Sequence, residues 1–306
     1  MRLRVPAAVI VGGLLTLGVA GCGDPTPTGA NAGAASPSTA AGPSSTEMGS
    51  MPGMDGPSGS AGHDMPGMPM PAGTGLSPTV NGYTLTVTQP PMAGMSMPVM
   101  LTITRAGRPV TRFTPEQTKL MHLYLIRSDL TGFQHLHPVM AAGGRWTSPP
   151  VGAVPGAYRL YTQFIPQGGT DPLVLSTPVI IPGPGSDQRT PVPPPATSTT
   201  VAGYTLTVAG TPMAGMAAPL TVTVRRGGAP VTDLQPYLDT YAHVTAFHAG
   251  DLAFAHLHPE GAGHGNAGGP TLTLHAELPE PGSYRLFIQF QTRGVLHTAP
   301  ITLTAT

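Results

Sequence analysis

Val201-Ala202-Gly203-Tyr204-Thr205-Leu206-Thr207-Val208 turns through a glycine and then alternates apolar side chains with threonines. Period two with β-branched residues is the pattern of a half-buried strand. The same octet stands 121 residues earlier as Val80-Asn81-Gly82-Tyr83-Thr84-Leu85-Thr86-Val87. Working outward, Pro91-Met92-Ala93-Gly94-Met95 returns as Pro212-Met213-Ala214-Gly215-Met216, and His122 falls on His243. His135-Leu136-His137-Pro138 falls on His256-Leu257-His258-Pro259 without a gap. Later, Tyr158-Arg159-Leu160 and Gln163-Phe164 match Tyr284-Arg285-Leu286 and Gln289-Phe290 at an offset of 126. The second copy therefore holds five extra residues, most simply in the glycine loop 261–269. The chain is an internal duplication.

Pro219 to Val224, Thr271 to Glu277 and Tyr284 to Gln291 carry the same alternation, and neither copy has a helical period. About seven short strands per copy, bounded by Gly, Pro and Asp, predict an all-β protein of two tandem immunoglobulin-like sandwiches. A small barrel is the second architecture. The expected divisions are a signal peptide over 1–21, a disordered Met-rich tether over 22–77, and a first sandwich over 78–182. A Pro-rich linker over 183–200 and a second sandwich over 201–306 complete them. The tether is Gly, Ala, Ser, Thr and Pro with almost no branched apolar residue, so it cannot offset its chain entropy by burial.

The 306 residues have formal net charge zero, only 9% charged side chains, 41 Gly and 38 Pro. Lys119 is the single lysine and there is no basic run, so nucleic acid is not an expected partner. Met1-Arg2-Leu3-Arg4 followed by an apolar run to Ala20 reads as a secretory signal. Val19-Ala20-Gly21-Cys22 resembles the bacterial lipobox, which implies cleavage before Cys22 and lipid on its sulfur. The expected location is the cell membrane, lipid-anchored on the extracytoplasmic face. Cys22 is the only cysteine, so disulfides, thiol nucleophiles and thiolate metal sites drop out together.

The histidines carry the chemistry. Tyr241 to His248 reads as a strand, Ala249-Gly250-Asp251 as a turn, and Leu252 to His258 as the return strand. His256 and His258 then share a face with Cα atoms about 6.5 Å apart, and His243 comes opposite them. A turn near Asp129 sets His122 against His135 and His137 in the same way. Three imidazoles within reach of one ion are expected in each half; whether the halves share one centre or hold two stays open. Pro138 and Pro259 are expected to end the strand, putting the cluster at a sheet end. The plain alternative is six packing histidines, each bonded to backbone.

Methionine forms two further groups. Met48, Met51, Met54, Met65, Met68 and Met70, with His63 among them, crowd a tether where apolar bulk packs against nothing. Thioethers favour Cu(I) or Ag(I) and need no deprotonation. Met92 and Met95, with Met213 and Met216, sit in a loop that would add sulfur to the histidine sites if it lay at the same sandwich end.

The His-Leu-His-Pro strand, the upstream histidine and the Tyr-Arg-Leu…Gln-Phe strand are similar to those of YtkA-like and copper-resistance sandwich modules. That resemblance implies metal handling beside an efflux or delivery partner, and no known reaction. Copper-resistance modules often bind Cu(II) through a free N-terminal His; here a lipidated Cys22 would take that place. The expected function is an extracytoplasmic, lipid-anchored protein that sequesters or delivers Cu(I), with zinc or no metal as the other cofactor possibilities. A structural or protein-interaction lipoprotein with packing histidines is the competing class. An enzyme is not expected: no Ser/His/Asp set or phosphate loop is present. A hydrolytic zinc site would need a base near the histidines, where Glu260 is the only adjacent carboxylate.

Overall fold

The computed structural model describes residues 74–265 and 267–306, with the side chain of His258 outside the described part. Cys22, Met48, Met51, Met54, His63, Met65, Met68 and Met70 all lie outside the described residues. The protein is all-β, and each copy is a two-layered antiparallel sandwich. Among the described residues no helix is long and apolar enough to cross a membrane.

The first copy contains β1 (Thr79–Val80), β2 (Tyr83–Gln89), β3 (Met97–Arg105), β4 (Arg108–Pro109), β5 (Phe113–Thr114) and β6 (His122–Arg127). It continues through β7 (Gln134–Leu136), β8 (Val139–Met140), β9 (Arg145–Val151), β10 (Gly156–Pro166) and β11 (Leu173–Ile181). One layer runs β1-β2-β3-β9-β8 and the other β11-β10-β6-β7, with β4 and β5 as short flanking pairs. The second copy contains β12 (Ser198–Val201), β13 (Tyr204–Ala209), β14 (Ala217–Arg226), β15 (Ala229–Pro230) and β16 (His243–His248). It ends with β17 (Phe254–Pro259), β18 (Thr271–Glu277), β19 (Gly282–Thr292) and β20 (Val295–Ala305). Its order is β12-β13-β14-β18-β17-β16-β19-β20, with β15 on β14. β12 begins inside the stretch expected to be linker, because Ser198 to Val201 pairs with the first strand of the repeated octet.

The histidine motif is where the chain changes layers. Phe254 to Leu257 pairs with β16, while His258 and Pro259 pair with His275 and Leu274 of β18. β17 ends at Pro259, as expected, after its last two residues have crossed over to the other sheet. In the first copy the strand does break at His137–Pro138, between the β7 pairing with β6 and the β8 pairing with β9.

Each sandwich has its own core. Leu101, Ile103, Leu123, Leu125, Trp146 and Phe164 fill the first; Leu206, Val222, Val244, Leu257, Leu286 and Phe290 fill the second. A third cluster belongs to both copies: Tyr124, Ile126, Tyr161 and Val174 pack on Phe247, Phe254 and Phe287. Leu123 and Leu125 of β6 face the first core, so Tyr124 and Ile126 occupy the outer face, which meets the outer face of β16, β17 and β19. All six residues of β6 are buried for that reason. Each large side chain so covered is worth about 1.5–3 kcal/mol.

The pairing across this seam is reciprocal. Phe133 of the first copy stacks on Phe287 of the second at 4.1 Å, and Phe254 of the second meets Tyr161 of the first at 5.7 Å. Phe133 aligns with Phe254, and Tyr161 with Phe287, so the two contacts are images of each other. Residues 74–77 lie along the seam: Phe254 N–H donates to Thr74 O and Ser176 N–H to Ser77 O, both at 2.9 Å. Gly75 is required there, since its φ is +68° and a Cβ would sit 2.8 Å from Val174 and 3.0 Å from Phe254.

Candidate metal centre

The histidines lie at one end of this seam. His122 opens β6 and pairs in register with Gln163 of β10; His243 opens β16 and pairs with Gln289 of β19. Tyr124 pairs with His135, as Thr245 pairs with His256. Both ladders aim their histidines off the outer sheet faces, and docking those faces brings them together. One nitrogen from each of His122, His135 and His243 lies within 4.8 Å of the others, which is room for one ion. His122 and His243 are fully buried, and their parallel rings have centroids 5.8 Å apart. His135 lies between, 5.3 Å from His122 and 4.5 Å from His243.

The three closest histidines come from both copies, which matches a shared centre, one of the two arrangements left open by the sequence. His137 stands beside them, 5.1 Å from His122 and 4.7 Å from His135 by ring centroid. His256 lies 4.6 Å from His243 on the other side. His258 keeps its ladder position opposite His275.

Hydrogen bonds decide which nitrogens are open. His122 Nε2–H donates to the carbonyl of Glu116 at 3.1 Å, leaving Nδ1 as a lone pair. His135 Nδ1–H donates to Gln289 Oε1 at 2.7 Å, leaving Nε2 as a lone pair. Those two nitrogens face each other at 3.0 Å. Neutral rings have no proton left for that contact. Burial, ahead of every other cause, pushes His122 down to about 4 and His135 well below the usual imidazole range. His137 falls to about 3, and His243 lies well below its ordinary value, also first through burial. Two opposed lone pairs in a buried seam could hold a cation. Tetrahedral bonds of 2.0–2.1 Å hold ligand nitrogens about 3.3 Å apart, so small ring shifts suffice.

The surrounding groups were not legible as site residues. Gln289 of the second copy bonds His135 of the first, and Gln163 of the first donates to His256 Nδ1 of the second at 3.2 Å. Gln163 also donates to Glu116 Oε1 at 2.8 Å, and burial raises that carboxyl to about 7. Tyr124 stacks on His135 at 4.4 Å, with its hydroxyl 3.3 Å from His243 Nε2. Glu116 Oε2, His137 Nε2 and His243 Nδ1 are buried with no hydrogen-bond partner among the described residues. The positions aligned with Glu116 and Tyr124 differ in chemistry, being Tyr237 and Thr245. The repeated Gln-Phe pair was the one available signal.

The methionine loops are not part of this centre. Ala93 bridges to Ala153 and Ala214 to Leu278, just ahead of β10 and β19. Gln163 and Gln289, which mark the histidine end, lie seven residues into those strands from Gly156 and Gly282. Met95 lines a pocket with Gln134 and Tyr158, near the Gly156 end of β10, whereas His122 pairs with Gln163 farther along that strand. Glu260 also turns elsewhere, pairing with His275 at 2.6 Å.

No curated protein matches the chain significantly. Among solved structures, the S-layer protein rSbsC(31-844) is 13% identical with a TM-score of 0.19, over 74% of this chain and 28% of its own. The D00-D0 domain of intimin is 10% identical with a TM-score of 0.21, over 73% of this chain and 99% of its own. The FN1-FN3 domains of chicken CNTN1 are 9% identical with a TM-score of 0.21, over 75% and 68%. Scores this low carry no functional argument. The family described as Domain of unknown function (DUF8832) matches residues 78–175 and again 199–306, two thirds of the sequence. The chain belongs to that family and carries its domain twice.

Proposed function

We propose that this protein binds one transition-metal ion, copper as Cu(I), in a centre built across its two copies. The observation that carries the reading is the pair of opposed lone pairs on His122 Nδ1 and His135 Nε2, with His243 as third ligand and His137 next to them. Imidazole suits copper and zinc alike. Charge favours Cu(I): the ligands are neutral, the seam is buried, and a single positive charge costs less to bury than two.

The rest of the reading rests on sequence. The signal and Cys22 support a lipid-anchored extracytoplasmic protein, and the tether methionines support capture of a soft ion there. The role is sequestration or delivery to a metal-handling partner, without catalysis. One observation favours the competing reading: His135 is stacked on Tyr124 and bonded to Gln289 as a packing residue would be. Titration with Cu(I) against a competing chelator separates the two. The metal reading expects one tightly held ion that disappears in His135→Ala; binding unchanged by that substitution leaves the packing reading.

A further inference from the structure

Met92 and Met95 form a local arrangement of their own. Met95 N–H donates to Met92 O at 3.4 Å, with Gly94 at φ +70° as third residue of the turn. Met216 N–H donates to Met213 O at the same 3.4 Å, with Gly215 at φ +67°. Glycine in that position is the mark of a type II turn, whose first and last Cα atoms lie within about 7 Å. Both turns are pinned from below: Gly94 N–H reaches Ala153 O at 3.3 Å, and Gly215 N–H reaches Leu278 O at 2.8 Å. The buried prolines Pro91 and Pro212 precede them.

The side chains on these rigid turns face solvent. Met92 is 51% exposed, Met95 52%, Met213 46% and Met216 55%. Methionine as core filler is excluded by those values. Elsewhere the copies have changed chemistry at aligned positions, Glu116 to Tyr237 and Tyr124 to Thr245, yet both sulfur positions of the turn persist. What distinguishes an exposed methionine from leucine is its thioether, a soft, uncharged ligand.

We propose that each Met-Ala-Gly-Met turn is a surface site for one soft monovalent cation, Cu(I) or Ag(I), held between its two thioethers. The two sites are separate from the seam and do not depend on the histidine reading. A full-length chain with methyl-labelled methionine, titrated with silver nitrate and followed by NMR, tests this residue by residue. The Met92 and Met95 methyl signals are expected to move together and saturate at one Ag(I) per turn, as are those of Met213 and Met216. Met95→Leu keeps the apolar bulk and should weaken Ag(I) at its own turn at least tenfold, leaving the other turn unchanged. Signals that stay in place, an unaltered Met92 response in Met95→Leu, or an equal response to Zn(II) would each overturn the proposal.

Discussion

Gln289 of the second copy accepts a 2.7 Å hydrogen bond from His135 of the first, and so holds that ring from the far side of the seam. Gln163 of the first copy reaches His256 of the second as a donor instead, from its Nε2 to the ring Nδ1 at 3.2 Å. Each copy thus orients the outer histidine of the other. The tautomer of His135, and with it the open Nε2, depends on a residue 154 positions away.

Gln289→Leu removes that acceptor while keeping the apolar bulk. Outer partners of ligating histidines are typically worth 10–100-fold in affinity. Competition titration of the variant should show a loss in that range with near-wild-type thermal unfolding. Unaltered affinity would mean that His135 is not a ligand.

Phe287 is almost fully buried and stacked on Phe133, so it holds the copies together at the aromatic end of the seam. Phe287→Ala should cost about 3–5 kcal/mol in denaturant unfolding. It should also weaken metal binding, although no ligand is touched, because the ligands come from both sides. A variant that unfolds earlier but binds metal normally would show that the centre does not need the docked seam.

Acid should unfold the metal-free protein early. His122, His135, His137 and His243 are neutral in the fold and take up protons on unfolding, with folded values depressed to about 4 for His122 and about 3 for His137. Their stabilisation is complete above about 6.5 and is lost as pH falls toward those values. Glu116 has the opposite sign: raised to about 7, its contribution is present below about 4.5 and lost as pH rises through 7. Four groups outweigh one, so the urea midpoint should drop between pH 6.5 and 4. A midpoint that is flat or rising over that interval contradicts the burial of these rings.

The sequence made the strands legible because Tyr204 to Ala209 alternates strictly, and its burial alternates with it. The duplication made the domains legible. The seam was harder to see. His122-Leu123-Tyr124-Leu125-Ile126 has no polar face, which is the mark of a strand covered on both sides, but such a run does not say what covers it. The ligand set was partly readable for the same reason. Periodicity places His135 and His122 on neighbouring strands of one sheet, whereas His243 reaches them only through docking of two faces. The place of the methionine loops stayed open in the sequence because spacing along the chain does not tell which end of a sandwich a loop closes.

Counting the ions lost on substitution tests the shared centre most directly. Metal content should be measured on full-length wild type, His135→Ala, His243→Ala and the double variant, each loaded with Cu(I) against the same chelator. One centre spanning the copies predicts that each single variant and the double variant all lose the same one ion per chain, whatever the tether holds. Losses that add, one ion for each copy's histidine and two in the double variant, would contradict it.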